Sequence, residues 1–385
     1  VVVDGRFGTD TLQKSSKVFV TGVKPVYRLT TSDGYTLKAT GNHEIMTSEG
    51  WKPLESIKIG DKVHTLNRKG SFGETGDLKL GRTIGWLVGD GHFSDTRAYL
   101  SFYGEEKEEL APIFAGYVNE IANNETSLGY RQNYAVGISE QPTHDRHVVG
   151  SVRLQRVMES YGLKENKLQV PEAVFNGTED MQRGYLQGLF SADGSIQGNL
   201  EKGISIRLTS VRLNLLNQVQ LLLGNFGIKS KLYAYRRVAG MRPMPDGQGG
   251  SKDYECQATH ELMISKSNVE KFAAEIRFIH TKKNTKMDEL IASKKRVSNH
   301  ETFTSSVESI VLLGEETVYD LTQPTTHSFI ANGIVVHNCA EQSLPANAVC
   351  NLGAVNLGKF SLNTVLPFKE ETFDQALGRV NWDDL

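Results

Sequence analysis

From Lys17 to Thr47 the chain reads KVFVTGVKPVYRLTTSDGYTLKATGNHEIMT, with β-branched and aromatic residues alternating with polar ones. Alternation at period two predicts half-buried strands, because successive side chains of a strand point to opposite faces. Thr21-Gly22 and Asp33-Gly34 carry turn signals that would divide the run. GWKPLESIKIGDKVHTL adds a further short strand pair, and the Gly/Ser-rich RKGSFGETGD reads as a link. From Leu78 the period lengthens. LGRTIGWLVGDG, EEKEELAPIFAGYVNEIA and RLNLLNQVQLLLGNFG have helical patterns, the last with Leu213, Leu216 and Gln220 near one face and Gly224 and Gly227 as stops. Strands AYLSFYG, SIRLTS and KLYAYRR lie between them. β texture returns in SSVESIVLLGEETVYDLTQPTTHSFIANGIVVHN. A β segment split by a mixed segment predicts flanks that pair with each other around a separate middle domain.

Length and composition narrow this picture. A chain of 385 residues exceeds one ordinary core, so two or three domains are expected. A net charge of -2 leaves any DNA site to local basic patches. Three cysteines, Cys256, Cys339 and Cys350, exclude a disulfide framework and fit a reducing, cytoplasmic setting. No apolar run reaches membrane-spanning length, so no membrane partner is expected. The chain opens on VVVDGRFG without Met, as a fragment or a processed piece would.

IGWLVGDG and LQGLFSADG form an internal repeat. Each is an apolar helical run with an internal glycine (Gly85, Gly188) and a terminal Asp-Gly, and Asp90 and Asp193 are 193 − 90 = 103 residues apart. Either motif alone is equally an ordinary helix stop. As a pair, Gly85, Gly89, Gly188 and Ala192 permit close helix packing that would bring Asp90 and Asp193 together. Adjacent carboxylates are costly unless a cation lies between them. Mg²⁺ held by Asp90 and Asp193 suits phosphodiester hydrolysis.

The two motifs resemble those of LAGLIDADG homing endonucleases, with LQGLFSADG the nearer match. NKLQVPEAVF resembles the linker between that family's repeats. SIRLTSVRLNLLNQVQLLLGNFGIKSKLY resembles the segment after the second motif. The first copy departs at Thr83 and Val88, where the family often has Leu and Asp, and retains Asp90. The resemblance implies a Mg²⁺-dependent nuclease whose sheets lie in the major groove of double-stranded DNA. Lys229, Lys231, Arg236, Arg237 and Arg242, interleaved with Tyr233 and Tyr235, fit a DNA-facing strand, and a solvated charged strand is the plainer alternative.

His337, Asn338 and Cys339 are consecutive. An asparagine side-chain amide can attack its own carbonyl carbon and cleave the chain after itself, given a proton donor such as a neighbouring histidine. A thiol at the next position can accept an acyl group. Taken alone, His-Asn-Cys is more often a solvated turn or a metal ligand. VYDLTQPTTHSFIANGIVVHNC and GYTLKATGNHEIMT, however, resemble the C-terminal and N-terminal splicing blocks of inteins, in the right order. The resemblance implies that His327 and His337 assist Asn338, that Asp320 is a supporting acid, and that His43, with Thr40, acts at the upstream scissile peptide. It implies no cofactor for splicing. Inteins begin with a Cys or Ser nucleophile block that does not occur here. The expectation is therefore a truncated intein or the C-terminal part of a split one, with an upstream piece as partner.

The last 385 − 338 = 47 residues, CAEQSLPANAVCNLGAVNLGKF onward, resemble the active-site region of ribonucleotide reductase large subunits, nearest the adenosylcobalamin-dependent kind. The resemblance implies host roles for Cys339 and Glu341 at the radical site and for Cys350 in the redox pair. Adenosylcobalamin would serve the spliced host only.

The expected fold class is multidomain: an all-β Hint (horseshoe) splicing domain, 1–75 and 299–338, interrupted by an α+β LAGLIDADG endonuclease of two pseudo-repeats, 78–298, and followed by a host fragment, 339–385. The expected functions are protein splicing and cleavage of double-stranded DNA at the intein-less host gene. The alternatives are a DNA endonuclease without splicing and an autoprocessing module with a dead nuclease.

Overall fold

The structure, a computed structural model, describes residues 2–3, 12–13, 15–124, 135–199, 203–245, 250–293 and 301–338. It opens with a short antiparallel pair, β1 (Val2–Val3) and β2 (Leu12–Gln13). β3 (Phe19–Thr31) then runs unbroken, and the turn expected at Thr21-Gly22 does not form. Gly22 pairs with Val318 and Val20 with Tyr319, which leaves Thr21 as an extra, bulged residue. Gly22 takes φ +123°, so the glycine there serves a kink within a long strand rather than a chain reversal. The turn at Asp33-Gly34 does form, closed by Gly34 N–H donating to the Thr31 carbonyl at 2.9 Å. It leads into β4 (Thr36–Thr40), followed by β5 (Glu44–Thr47), β6 (Gly50–Pro53) and β7 (Lys62–His64).

The middle of the chain repeats one pattern twice. The first copy is α1 (Leu78–Asp90), β8 (Gly91–Phe93), β9 (Ala98–Tyr103), α2 (Glu106–Asn124), β10 (Ile138–Gln141), β11 (Arg146–Ser151) and α3 (Val152–Ser160). A short connecting helix, α4 (Glu172–Phe175), follows. The second copy is α5 (Glu179–Asp193), β12 (Gly194–Asn199), β13 (Gly203–Ser210), α6 (Leu213–Asn225), β14 (Lys231–Arg237), a hairpin of β15 (Gly240–Pro245) and β16 (Ser251–Cys256), β17 (Thr259–Ser265) and α7 (Asn268–Glu275), after which comes α8 (Thr281–Ala292). The sheets have matching orders, β8-β9-β11-β10 and β12-β13-β17-β14. The β15–β16 hairpin is what the second copy adds.

The chain then returns through β18 (Thr304–Asp320), β19 (Ser328–Ala331) and β20 (Ile334–His337). β18 pairs antiparallel with β3 and with β7, and β20 pairs with β5, so both flanks share one eight-stranded sheet. Its core is Leu29, Ile45, Leu54, Val63, Ile334 and Val336. The repeats bury a larger cluster. Trp86 stacks on Phe102 at 4.9 Å between ring centres and donates its indole N–H to the Ser101 carbonyl at 3.1 Å. No helix among the described residues is long and apolar enough to cross a membrane.

The helices α1 and α5 start on side-chain caps. Asp77 accepts from the Leu80 N–H at 2.9 Å and Thr178 from the Met181 N–H at 3.1 Å, each supplying an acceptor to a first-turn donor.

Candidate active sites

The two helices that end in Asp-Gly touch through their backbones. A Cβ on Gly85 would stand 2.1 Å from the Tyr185 carbonyl oxygen, and one on Gly188 would stand 2.3 Å from that of Arg82. Gly81 and Gly184, one turn earlier on each helix, are equally close to Met181 and Leu78 carbonyls, at 2.2 and 2.3 Å. Only residues without a Cβ allow this approach. It carries the helix ends into contact, so that a Cβ on Gly89 would lie 3.3 Å from Asp193 Oδ2. Burial raises the Asp90 pKa, with Lys283 and Lys167 opposing. Burial first, and then the facing Asp90, push Asp193 up to about 6. Paired carboxylates with raised pKa values suit a hard divalent cation that prefers oxygen ligands. Among the described residues no third His, Cys, Asp or Glu completes a metal-binding group with them.

Two lysines frame this pair, and neither stood out in the sequence. Lys167 Nζ donates to the carbonyls of Gly89 at 3.1 Å and Gly91 at 2.6 Å, at the end of α1. Lys283 Nζ donates to the carbonyls of Ser191 and of Gly194, the latter at 3.1 Å, at the end of α5. Burial lowers the pKa of both, and Asp90 and Asp193 oppose that shift in each. Carbonyls at a helix C-terminus carry partial negative charge, which places a cation well. Glu106, at the start of α2, faces Lys283 and Asp90, and burial raises its pKa.

Along β14, Lys231 and Arg236 both lie over the Tyr233 ring, each 5.2 Å from its centre. Arg236 and Arg237 are exposed and Lys231 is half-buried. Arg236 also lies 3.6 Å from Glu261. Lys229 departs from the expectation that it faces DNA. It is 8% exposed and ion-paired with Asp33 at 2.9 Å and Glu301 at 3.3 Å, and it donates to the Thr304 carbonyl at 2.8 Å. The strand on which its neighbours are displayed begins two residues later, so Lys229 belongs to the seam between the repeats and the flanking sheet.

On the flanking sheet, Asn338 is fully buried, and its N–H donates to the His327 carbonyl at 3.0 Å. β20 delivers His337 beside it. The His337 ring lies 6.1 Å from that of His327 and 5.1 Å from Trp51, edge to face, with Glu44 Oε2 at 3.9 Å from Nδ1. His327 takes φ +52°, and its buried Nδ1 has no hydrogen-bond partner among the described residues. Burial lowers the His43 pKa, with Asp320 acting against it and His337 with it, so His43, Asp320 and His337 share one neighbourhood. Thr40 closes the turn that presents His43 by accepting its N–H at 3.1 Å. Gln323, which sequence reading passed over, is fully buried. Its Oε1 accepts from the Thr326 N–H at 2.7 Å, the Thr326 hydroxyl at 2.9 Å and the His327 N–H at 2.9 Å. The residues expected at a splicing junction are thus gathered, up to Asn338. Cys339, Glu341 and Cys350 lie outside the described residues.

Residues 180–277 match the model of the LAGLIDADG-like domain. Over 361 residues the chain is 28% identical to the ribonucleoside-diphosphate reductase NrdEB subunit alpha of Bacillus subtilis (strain 168), covering 86% of this chain and 33% of that protein. Over 401 residues it is 28% identical to the replicative DNA helicase DnaB of Synechocystis sp., covering 86% of this chain and 45% of that protein. The chain thus spans between a third and a half of these relatives' length. Among solved structures, I-DmoI in complex with DNA and Ca is similar at 16% identity and a TM-score of 0.32, over 52% of this chain and 88% of that one. An Ssp DnaB mini-intein variant is similar at 14% identity and a TM-score of 0.23, over 85% of this chain and 71% of that one.

Proposed function

We propose that this chain, whose residues 180–277 are a LAGLIDADG-like domain, is an intein that carries a DNA homing endonuclease between the two halves of its splicing domain. The observation that carries the reading is the position of Asn338, buried on a sheet shared by both flanks and close to His327 and His337.

In the junction reaction, the Asn338 side-chain nitrogen attacks its own backbone carbonyl carbon. The peptide bond to Cys339 breaks, leaving a succinimide on Asn338 and a free amine on Cys339. The leaving nitrogen takes up a proton, which His337, the adjacent imidazole, is suited to give. The Asn338 N–H bond to the His327 carbonyl fixes the backbone during the attack. His43, whose pKa burial lowers and Asp320 raises, is suited to proton transfer at the upstream peptide, with the Thr40 carbonyl holding its N–H. Cys339 would receive the upstream acyl group.

For DNA, Asp90 and Asp193 would hold Mg²⁺, which neutralises developing charge on the phosphate and activates water. Lys167 and Lys283 place two cations at the same pair. Lys231, Arg236 and Arg237 would meet the phosphate backbone and base edges. The 47-residue tail is read as host sequence from a ribonucleotide reductase of the adenosylcobalamin-dependent kind, and this rests on its sequence alone.

The test is the mass of the purified chain. Wild type should lose residues 339–385, and Asn338→Ala should not. An intact wild-type chain after prolonged incubation would favour an endonuclease with purely structural flanks. Incubation with Mg²⁺ and a plasmid bearing the uninterrupted host site tests the second activity, which Asp90→Asn or Asp193→Asn should abolish.

A further inference from the structure

α8 begins without a cap of its own, because His280 at its N-cap position offers no side-chain acceptor to the first turn. The acceptor comes from the other repeat. The Thr281 N–H donates to Glu109 Oε1 at 3.0 Å and the Thr281 hydroxyl to the same oxygen at 2.6 Å. Glu109 lies in the first turn of α2. On either side of this contact, His280 Nε2 stands 3.5 Å from Glu109 Oε2, and Lys282 donates to Glu105. Three consecutive residues that follow the second repeat, 280–282, are therefore braced against the first. The next residue is Lys283, whose ammonium reaches the end of α5 beside Asp193. A groove lined by Tyr103, Glu105, Glu106, His280 and Lys283 joins the brace to that lysine.

Lys167 is held differently. It lies in the connection between α3 and α4, and its ammonium rests on the carbonyls of Gly89 and Gly91. The two lysines at one carboxylate pair thus depend on different supports.

We infer that Glu109 is a positioning residue: by capping α8 from the opposite repeat it fixes the reach of Lys283 to the Asp90–Asp193 pair, so that the two DNA strands are cut by unequally supported halves of one site. This rests on the nuclease reading above. A helix whose first N–H groups lack acceptors frays from that end, and Lys283 is the third residue of α8. Loss of the cap displaces the lysine without touching DNA or substrate phosphate.

The experiment uses the full chain, Mg²⁺ and a duplex spanning the uninterrupted host site, with a different dye on each strand. Glu109→Ala should slow cleavage of one strand by about tenfold or more, the other strand changing little, because a small misplacement of a reacting group has that scale of effect. Binding of the same duplex without metal should stay at the wild-type level. Glu109→Gln should recover most of the lost rate, since its amide oxygen still accepts the Thr281 N–H. Equal slowing of both strands, or none, overturns the inference. So does a Gln variant as slow as the Ala variant, which would point to charge rather than capping. If wild type cuts neither strand, the nuclease reading fails, and the brace is judged by amide exchange. Glu109→Ala must then accelerate exchange at Asn284, whose N–H closes the first turn on the His280 carbonyl at 3.2 Å, and an unchanged rate overturns the brace.

Discussion

The Lys229 ammonium lies 2.9 Å from the Asp33 carboxylate, joining the start of a strand in the second repeat to a turn of the flanking sheet. The turn is engaged at the backbone as well, since the Asp33 carbonyl accepts from the Leu232 N–H at 3.0 Å and from Gln220 Nε2 at 2.9 Å. Glu301 completes the ion cluster at 3.3 Å, and Asn268 Oδ1 accepts the Lys229 N–H at 2.9 Å. This seam couples the two parts mechanically, whereas Lys231, two residues on, lies over the Tyr233 ring.

Lys229→Ala leaves two carboxylates facing each other at a buried site, and removing one partner of a buried pair costs about 3 kcal/mol or more. Urea unfolding should register that loss, while the salt dependence of DNA binding stays at the wild-type slope. Lys231→Ala should do the reverse, changing stability by less than about 0.5 kcal/mol and reducing the salt slope by about one. A Lys229 variant of wild-type stability and shallower salt slope would return Lys229 to the DNA surface.

Gly85→Ala tests the helix pair. Its new methyl would meet the Tyr185 carbonyl oxygen at 2.1 Å, and backbone cannot step aside as a side chain can. The helices must part, at a cost of about 1–3 kcal/mol or more. Parting them also separates Asp90 from Asp193, so DNA cleavage should fall further than stability alone explains. Gly116→Ala is the control, because nothing lies within 4 Å of a Cβ on that exposed α2 position. It should be neutral or stabilising by up to about 1 kcal/mol on helix propensity. Equal effects of the two substitutions would remove the close-contact account.

The glycine spacing and the terminal aspartates were legible in the sequence because helix packing is written in local periodicity. Gly81 and Gly184 extend the same row one turn back and follow from the same rule. Lys167 and Lys283 were not legible. Each is one lysine among many, and each gains its meaning only where a connection or a distant helix folds back onto the carbonyls that end α1 and α5. Lys229 misled for the same reason in reverse. It reads as the first of a basic row, and a turn almost 200 residues away claims it (229 − 33 = 196). Thr21-Gly22 has turn chemistry, yet β18 runs alongside it and converts the kink into a bulge. Gln323 carries no motif at all, and its three bonds exist only once the loop to His327 has closed.

Gln323→Leu should slow loss of the tail, by about tenfold, through misplacement of His327 and of the carbonyl that holds Asn338. The side chain accepts two bonds from Thr326 and one from the N–H of His327, and so anchors the loop in which His327 sits at positive φ, a conformation uncommon outside glycine. The rate is read from the appearance of the 47-residue fragment after denatured storage and refolding. Gln323→Glu keeps an acceptor oxygen and should lie between wild type and Leu. A Leu variant that releases the tail at the wild-type rate would detach Gln323 from the reaction.

Metal and pH should act together at Asp193. An ordinary aspartate titrates near 3.8, and this one is pushed up to about 6. A carboxyl with a raised folded-state pKa holds its proton more tightly in the folded chain than in the unfolded one. Its contribution to stability is therefore full below pH 3.8 and is lost as pH rises through about 6. As Asp193 ionises, the facing Asp90 opposes it, and a cation between the two carboxylates relieves that opposition. Mg²⁺ binds the ionised pair, so the rise in Tm on adding it should be small at about pH 5 and larger at about pH 7. Asp193→Asn removes one of the facing charges. It should raise Tm at about pH 7 in EDTA, above the pH at which Asp193 of the wild type ionises, and erase the response to Mg²⁺. Thermal melts at the two pH values, in EDTA and in Mg²⁺, give the four numbers needed for each protein. A wild-type Tm indifferent to Mg²⁺ at the higher pH would leave the carboxylate pair without its cation and the nuclease without its chemistry.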